Sequence, residues 1–126
     1  MPVQKDSRHD QDVGFNRAAL MRHVGDDLDL LRDIVNLFLE SAPQLLKEIR
    51  DAVAVADGER VELAAHALRG AARNFFTAGV EDAALVLETM GRSRDLAHAK
   101  SACGVLAAEL DKLRSLLLSM LHGGKT

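Results

Sequence analysis

Residues 28–56 read LDLLRDIVNLFLESAPQLLKEIRDAVAVA, and their apolar spacing decides the fold. Leu30, Leu31, Ile34, Leu37 and Phe38, then Leu45, Leu46, Ile49 and Val53, recur at three- and four-residue steps, the period of one helix face. The spacing predicts a long helix over 28–56. Pro43 lies inside it and is expected to kink it or loosen one turn, because proline has no N–H to bond back to the preceding turn. The run Val53-Ala54-Val55-Ala56 is β-like in composition, yet it continues the helical phase and has no partner strand.

Working outward, Asn16 precedes a short apolar pattern of Ala19, Leu20 and Val24 that predicts a small first helix ended by Gly25. Asp26 or Asp27 then stands where the long helix needs an N-cap. On the other side Asp57-Gly58 is a turn signal, followed by a third helix over 59–75 and a break at Gly79. A fourth helix is predicted over 80–90, with Glu81 and Asp82 favourably placed in its first turn. A loop over 91–94 leads to a last helix over 95–121. Residues 1–13 are polar and mixed in charge and are expected to form a disordered leader, and 123–126 a flexible tail. The predicted domain, 14–122, is all-α: an up-and-down antiparallel four-helix bundle with a short additional N-terminal helix and no sheet.

Composition agrees. The 126 residues suit one domain, 48% are hydrophobic, and only 3% are aromatic, with no Tyr or Trp. Strands favour β-branched and aromatic residues, whereas Ala and Leu favour helices. A formal charge of −3 gives no electrostatic reason to expect nucleic acid or an anionic membrane as partner. No apolar run approaches the roughly 20 residues of a membrane span, and the polar first residues do not read as a secretory signal. The single cysteine, Cys103, sits among Ala, Leu and Val at helical spacing and is expected to be a buried, inert thiol. These features point to the cytoplasm. A monomer is expected, because one bundle's interior should consume the apolar positions and leave no long seam for a second copy.

The chemistry is concentrated in the third helix. At about 100° per residue from His66, the residues Val61, Ala64, Ala67, Leu68, Ala71 and Phe75 fall on an arc nearly opposite, the expected core face. Glu59, Glu62, Arg69, Gly70 and Arg73 fall within about 60° of His66. His66 is therefore expected to project from the solvent side. Gly70 stands one turn beyond it on the same face, although glycine inside a helix costs about 0.5–1 kcal/mol relative to alanine. Its missing side chain lets something approach the imidazole closely. Arg69 and Arg73 are placed to put positive charge near an anion carried on the ring. Geometry alone also allows the plainer reading of an ordinary surface histidine on a solvated face.

The run Ala65-His66-Ala67-Leu68-Arg69-Gly70-Ala71-Ala72-Arg73-Asn74 resembles the signature of histidine phosphotransfer (HPt) domains: a His, any residue, a Leu, a Lys or Arg, and a Gly, continuing through small residues to an Asn. The order of elements is similar to the family's over about residues 14–121. One departure is Phe76, where the family usually carries a second glycine; with Gly79 three residues later, the end of this helix is expected to be extended or tilted. The resemblance implies a phosphoryl carrier rather than an autonomous enzyme. His66 would accept the phosphoryl group from an aspartyl phosphate on a receiver domain and pass it to another, with Arg69 nearest the phosphoryl oxygens and Gly70 admitting the partner. Glu59, Glu62, Leu63 and Arg73 would contribute to docking. The implied partners are response-regulator receiver domains and a hybrid sensor histidine kinase. No cofactor is implied for this chain; Mg²⁺ would sit on the partner receiver.

Other signals are absent. His9, His23, His98 and His122 lie in separate segments without metal-ligand spacing, and no Gly-rich phosphate loop or nucleophilic triad is legible. A dimerising sensor-kinase helix pair also displays a histidine, but it typically carries an acidic residue directly after it and a proline soon after, where this chain has Ala67 and no proline. The alternative of another class is a docking or sequestering module that works without phosphorylation, for which Phe76 is the one hint.

Overall fold

The computed structural model describes residues 15–123; the expected leader at 1–13 and the last three residues of the expected tail lie outside them. Five helices follow one another: α1 (Arg17–His23), α2 (Leu28–Ala54), α3 (Gly58–Arg73), α4 (Ala78–Ser93) and α5 (Ala99–Gly123). The four longer helices pack in a ring, each against its neighbours in sequence and α5 back against α2. The pairings run antiparallel. The tilted rings of Phe38 and Phe75 meet at 4.8 Å while Arg60 bonds Glu48, and Glu62, His66 and Arg73 of α3 meet Arg92, Glu88 and Glu81 of α4 in descending order. Among the described residues the one extended pairing is an isolated bridge between Phe15 and Thr77. The all-α bundle is thus the architecture the apolar spacing predicts.

Local signals place the helix starts. Asn16, Asp27 and Asp57 each accept the backbone N–H three residues on, from Ala19, Leu30 and Arg60, satisfying a donor that has no partner within the helix. Helical conformation continues through Pro43; what is given up is the one hydrogen bond requiring an N–H at that position. α2 stops at Ala54, two residues before the predicted end. Ala56 turns left-handed (φ 56°), and the N–H groups of Ala56 and Asp57 donate to the carbonyls of Val53 and Ala52, the paired bonds of a Schellman stop.

The predicted break at Gly79 falls inside α4, as its second residue, and two further predicted breaks also lie inside helices. Gly58 opens α3 rather than forming a turn, and Gly91 belongs to α4, which continues to Ser93. Both are buried, and a Cβ on Gly91 would lie 2.5 Å from the Glu62 backbone nitrogen and 2.6 Å from the Gly58 carbonyl oxygen. These glycines allow two helix backbones to touch. The last helix begins at Ala99, later than predicted, because Asp95 accepts the Ala97 N–H and organises a turn first.

The core is mainly Leu, Ala and Val, with Leu20, Val35, Ile49, Leu68, Leu87, Leu106, Leu113 and Leu117 fully enclosed. Cys103 is buried as expected, and burial pushes its thiol up, away from the reactive thiolate. Not every apolar side chain is consumed, contrary to the premise of the expected monomer: Leu28 and Leu37 on α2 are 64% and 65% exposed. No helix among the described residues is long and apolar enough to cross a membrane.

Candidate functional site

On α3 the buried residues are Gly58, Val61, Ala64, Ala65, Leu68 and Ala72. The arc is rotated from the predicted one: Ala67 is exposed and Ala71 only half-buried, while Ala65 and Ala72 are enclosed. The cause is α4, which packs tightly against one flank of α3 and draws the core towards it. His66 therefore has two different sides. Leu63, Ala67 and Gly70 lie exposed on the open flank, and a Cβ on Gly70 would have nothing within 4 Å. The other flank faces α4.

There the imidazole meets Glu88. His66 Nδ1 lies 3.1 Å from Glu88 Oε2, while the His66 side chain remains 66% exposed and that of Glu88 only 2%. Arg69 donates from Nε to Glu88 Oε1 at 2.8 Å, and Arg92 donates from Nη2 to Glu88 Oε2 at 2.9 Å. Arg92 also donates from Nε to Glu62 at 3.0 Å. Burial by itself would raise the Glu88 carboxyl, but the hydrogen bonds from Arg69 and His66 and the nearby positive charge outweigh it and hold the group below the usual glutamate value. Glu88 is a buried carboxylate that stays ionised because its lone pairs are filled by charged donors.

The residues singled out from the sequence include His66, Arg69 and Gly70 but neither Glu88 nor Arg92, which the fold brings to the same place. In sequence Glu88 looks like a routine acidic residue. The available signal was its phase: it shares its arc with Ala84, Leu87 and Gly91, all buried, so its carboxylate had to find partners. Of the residues expected to contribute to docking, Glu59 and Leu63 are exposed, Glu62 is engaged by Arg92, and Arg73 stands 3.7 Å from Glu81. Phe76 does not extend α3. The helix ends at Arg73, and Phe76 is itself left-handed (φ 54°), with its carbonyl accepting the Asn16 N–H and its ring edge-on to His23 at 5.6 Å. A glycine suits that position for its backbone; here a phenylalanine occupies it and packs on α1. Among the described residues no group of three or more His, Cys, Asp or Glu side chains is gathered as a metal site.

The Hpt domain family matches residues 33–116, a span that contains His66, Glu88 and both arginines. The chain belongs to the Hpt domain family, whose members carry a phosphoryl group on histidine in phosphorelays and are not enzymes in the usual sense. Its fold is similar to that of histidine-containing phosphotransfer protein B (HptB) from Pseudomonas aeruginosa PAO1. The TM-score is 0.81, over 86% of this chain and 95% of that one, at 16% sequence identity. At that identity the likeness is one of fold. No curated protein sequence matches the chain.

Proposed function

We propose that His66 is the phosphoacceptor of this Hpt domain, relaying a phosphoryl group between receiver-domain aspartates. The observation that carries this reading is the bond between His66 Nδ1 and Glu88. An ionised carboxylate can only accept, so Nδ1 carries the proton and, in the neutral form of the ring, the lone pair is on Nε2, on a side chain open to a partner. Nε2 attacks phosphorus in line with the departing aspartyl oxygen. The N–P bond forms as the O–P bond breaks, and the electron pair leaves with the aspartyl carboxylate.

Donor and acceptor are the receiver domains of a hybrid sensor histidine kinase and of response regulators, and Mg²⁺ held by the receiver would supply charge neutralisation for the phosphoryl group. Arg69 acts first through Glu88, to which it is bonded, and adds positive charge beside the ring. Gly70 admits the receiver on the open flank beside Leu63, and docking also uses Glu59, Glu62 and Arg73. Leu85, 41% exposed one turn before Glu88, adds an apolar contact on α4. The protein acts as a monomer in the cytoplasm. A stable dimer in sedimentation at micromolar concentration would count against that state and point to the exposed leucines of α2.

The reading of a docking module that never takes up phosphate rests on Phe76, whose ring packs edge-on against His23 at the end of α1. The deciding experiment incubates the wild-type protein and His66→Gln with phosphorylated receiver domains. The wild type should acquire acid-labile, base-stable phosphate, and the variant should remain folded and acquire none. Undiminished transfer to His66→Gln would sink the assignment, and full biological output from that variant would favour the docking module.

A further inference from the structure

Glu88 is enclosed, ionised and bonded to the histidine nitrogen that does not react, so its charge remains beside the ring after phosphorylation as well as before. We propose that the negative charge of Glu88 sets the lifetime of phosphohistidine at His66: by retaining the Nδ1 proton it keeps the phosphoryl group transferable rather than stored. This rests on His66 being the phosphoacceptor.

The lifetime turns on the leaving group. An imidazole phosphorylated on Nε2 and protonated on Nδ1 is a cation. When an aspartate oxygen or water bonds to phosphorus, the N–P electron pair returns to Nε2, the Nδ1 proton stays, and a neutral imidazole departs; with water, the surplus proton passes to solvent. If Nδ1 has lost its proton, the departing group is an imidazolate anion, a far poorer leaving group. The lifetime of the N–P bond therefore follows the fraction of rings that keep the Nδ1 proton.

A carboxylate 3.1 Å from Nδ1 stabilises the cationic form and raises the pH at which that proton is lost. The other charged groups on this face are Glu62, Arg69 and Arg73 of α3 and Glu81 and Arg92 of α4, and their ion pairs are with one another or with Glu88. Glu88 is the charge that touches the ring, and Arg69 and Arg92 keep it ionised.

The test uses the full chain phosphorylated with phosphoramidate, followed by ³¹P NMR. Glu88→Gln keeps the shape and an oxygen that can accept from Nδ1 but removes the charge, and the two arginines left without their carboxylate push in the same direction. At about pH 8 the variant should lose phosphate about tenfold more slowly, the consequence of a one-unit fall in the pKa of the phosphorylated ring. In the wild type, the ³¹P signal of phospho-His66 should titrate at higher pH than that of free Nε2-phosphohistidine. Equal lifetimes in the two proteins would overturn the inference. If Glu88→Gln does not fold, a wild-type titration no higher than the free compound's would overturn it, and a higher one would support it. A wild type whose ³¹P spectrum shows no phosphohistidine signal beyond those of a His66→Gln control would refute the phosphoacceptor reading itself and the inference with it.

Discussion

Gly58 and Gly91 bring α3 and α4 into backbone contact, so close that a Cβ on Gly91 would fall 2.6 Å from the Gly58 carbonyl oxygen. One and two turns further along α3 stand Glu62 and His66, and one turn back along α4 stands Glu88, whose meeting with His66 depends on that approach.

Gly91→Ala should therefore destabilise the fold by about 3 kcal/mol, as overpacking against atoms that cannot rotate away. Gly70→Ala should do the opposite, stabilising by up to about 1 kcal/mol, because nothing lies within 4 Å of its added methyl. Urea denaturation of the two variants checks both signs. A longer side chain, in Gly70→Leu, should fold as well but block phosphotransfer by covering the open flank of His66.

Ala56 and Phe76 are left-handed at φ 56° and 54°, each in a turn that follows a helix. Ala56→Gly should raise stability by about 1 kcal/mol, since the exposed methyl contributes little and the backbone strain is relieved. At position 76 the informative comparison is between two truncations. Both lose the packing on His23, yet Phe76→Gly should be more stable than Phe76→Ala by about 1 kcal/mol, reversing the usual order within a helix. Thermal melts of the three variants test this.

Arg69→Ala removes the donor 2.8 Å from Glu88 Oε1 and leaves a buried carboxylate with fewer partners. A loss of about 1–3 kcal/mol in stability is expected. Phosphotransfer should slow without stopping, since Arg92 still holds Glu88 and the receiver contributes its own charge neutralisation. Chemical denaturation and single-turnover transfer measure the two effects separately.

Stability should fall in acid for a reason traceable to Glu88. Its folded-state pKa lies below the ordinary value of 4.5, so its contribution is present above that value and is lost as pH drops through the lowered one, where the unfolded chain binds the extra proton. The stability gap between wild type and Glu88→Gln should therefore be full at neutral pH, begin to narrow near the ordinary glutamate value, and close below it. A gap independent of pH would refute the assignment of Glu88 as the ionised centre of the network.

The sequence by itself determined the helices, their order and the face that carries His66. Those features are written in contacts three or four residues apart: the apolar steps of α2, the caps at Asn16, Asp27 and Asp57, and the offset of Arg69 and Gly70 from His66. Tertiary structure decided what His66 touches. Glu88 lies twenty-two positions away in sequence, and its meeting with Nδ1 depends on the antiparallel register of α3 and α4, which is set by two glycines that look like turn residues in the sequence. The same packing rotated the core arc of α3 towards Ala65 and Ala72 and away from Ala67, because a helical period gives the width of a buried face but only the neighbouring helix sets its direction. Phe76 follows the same rule. Its substitution is legible in the sequence, whereas the left-handed turn it occupies and the His23 ring it packs against exist only once α1 has folded over the connection between α3 and α4.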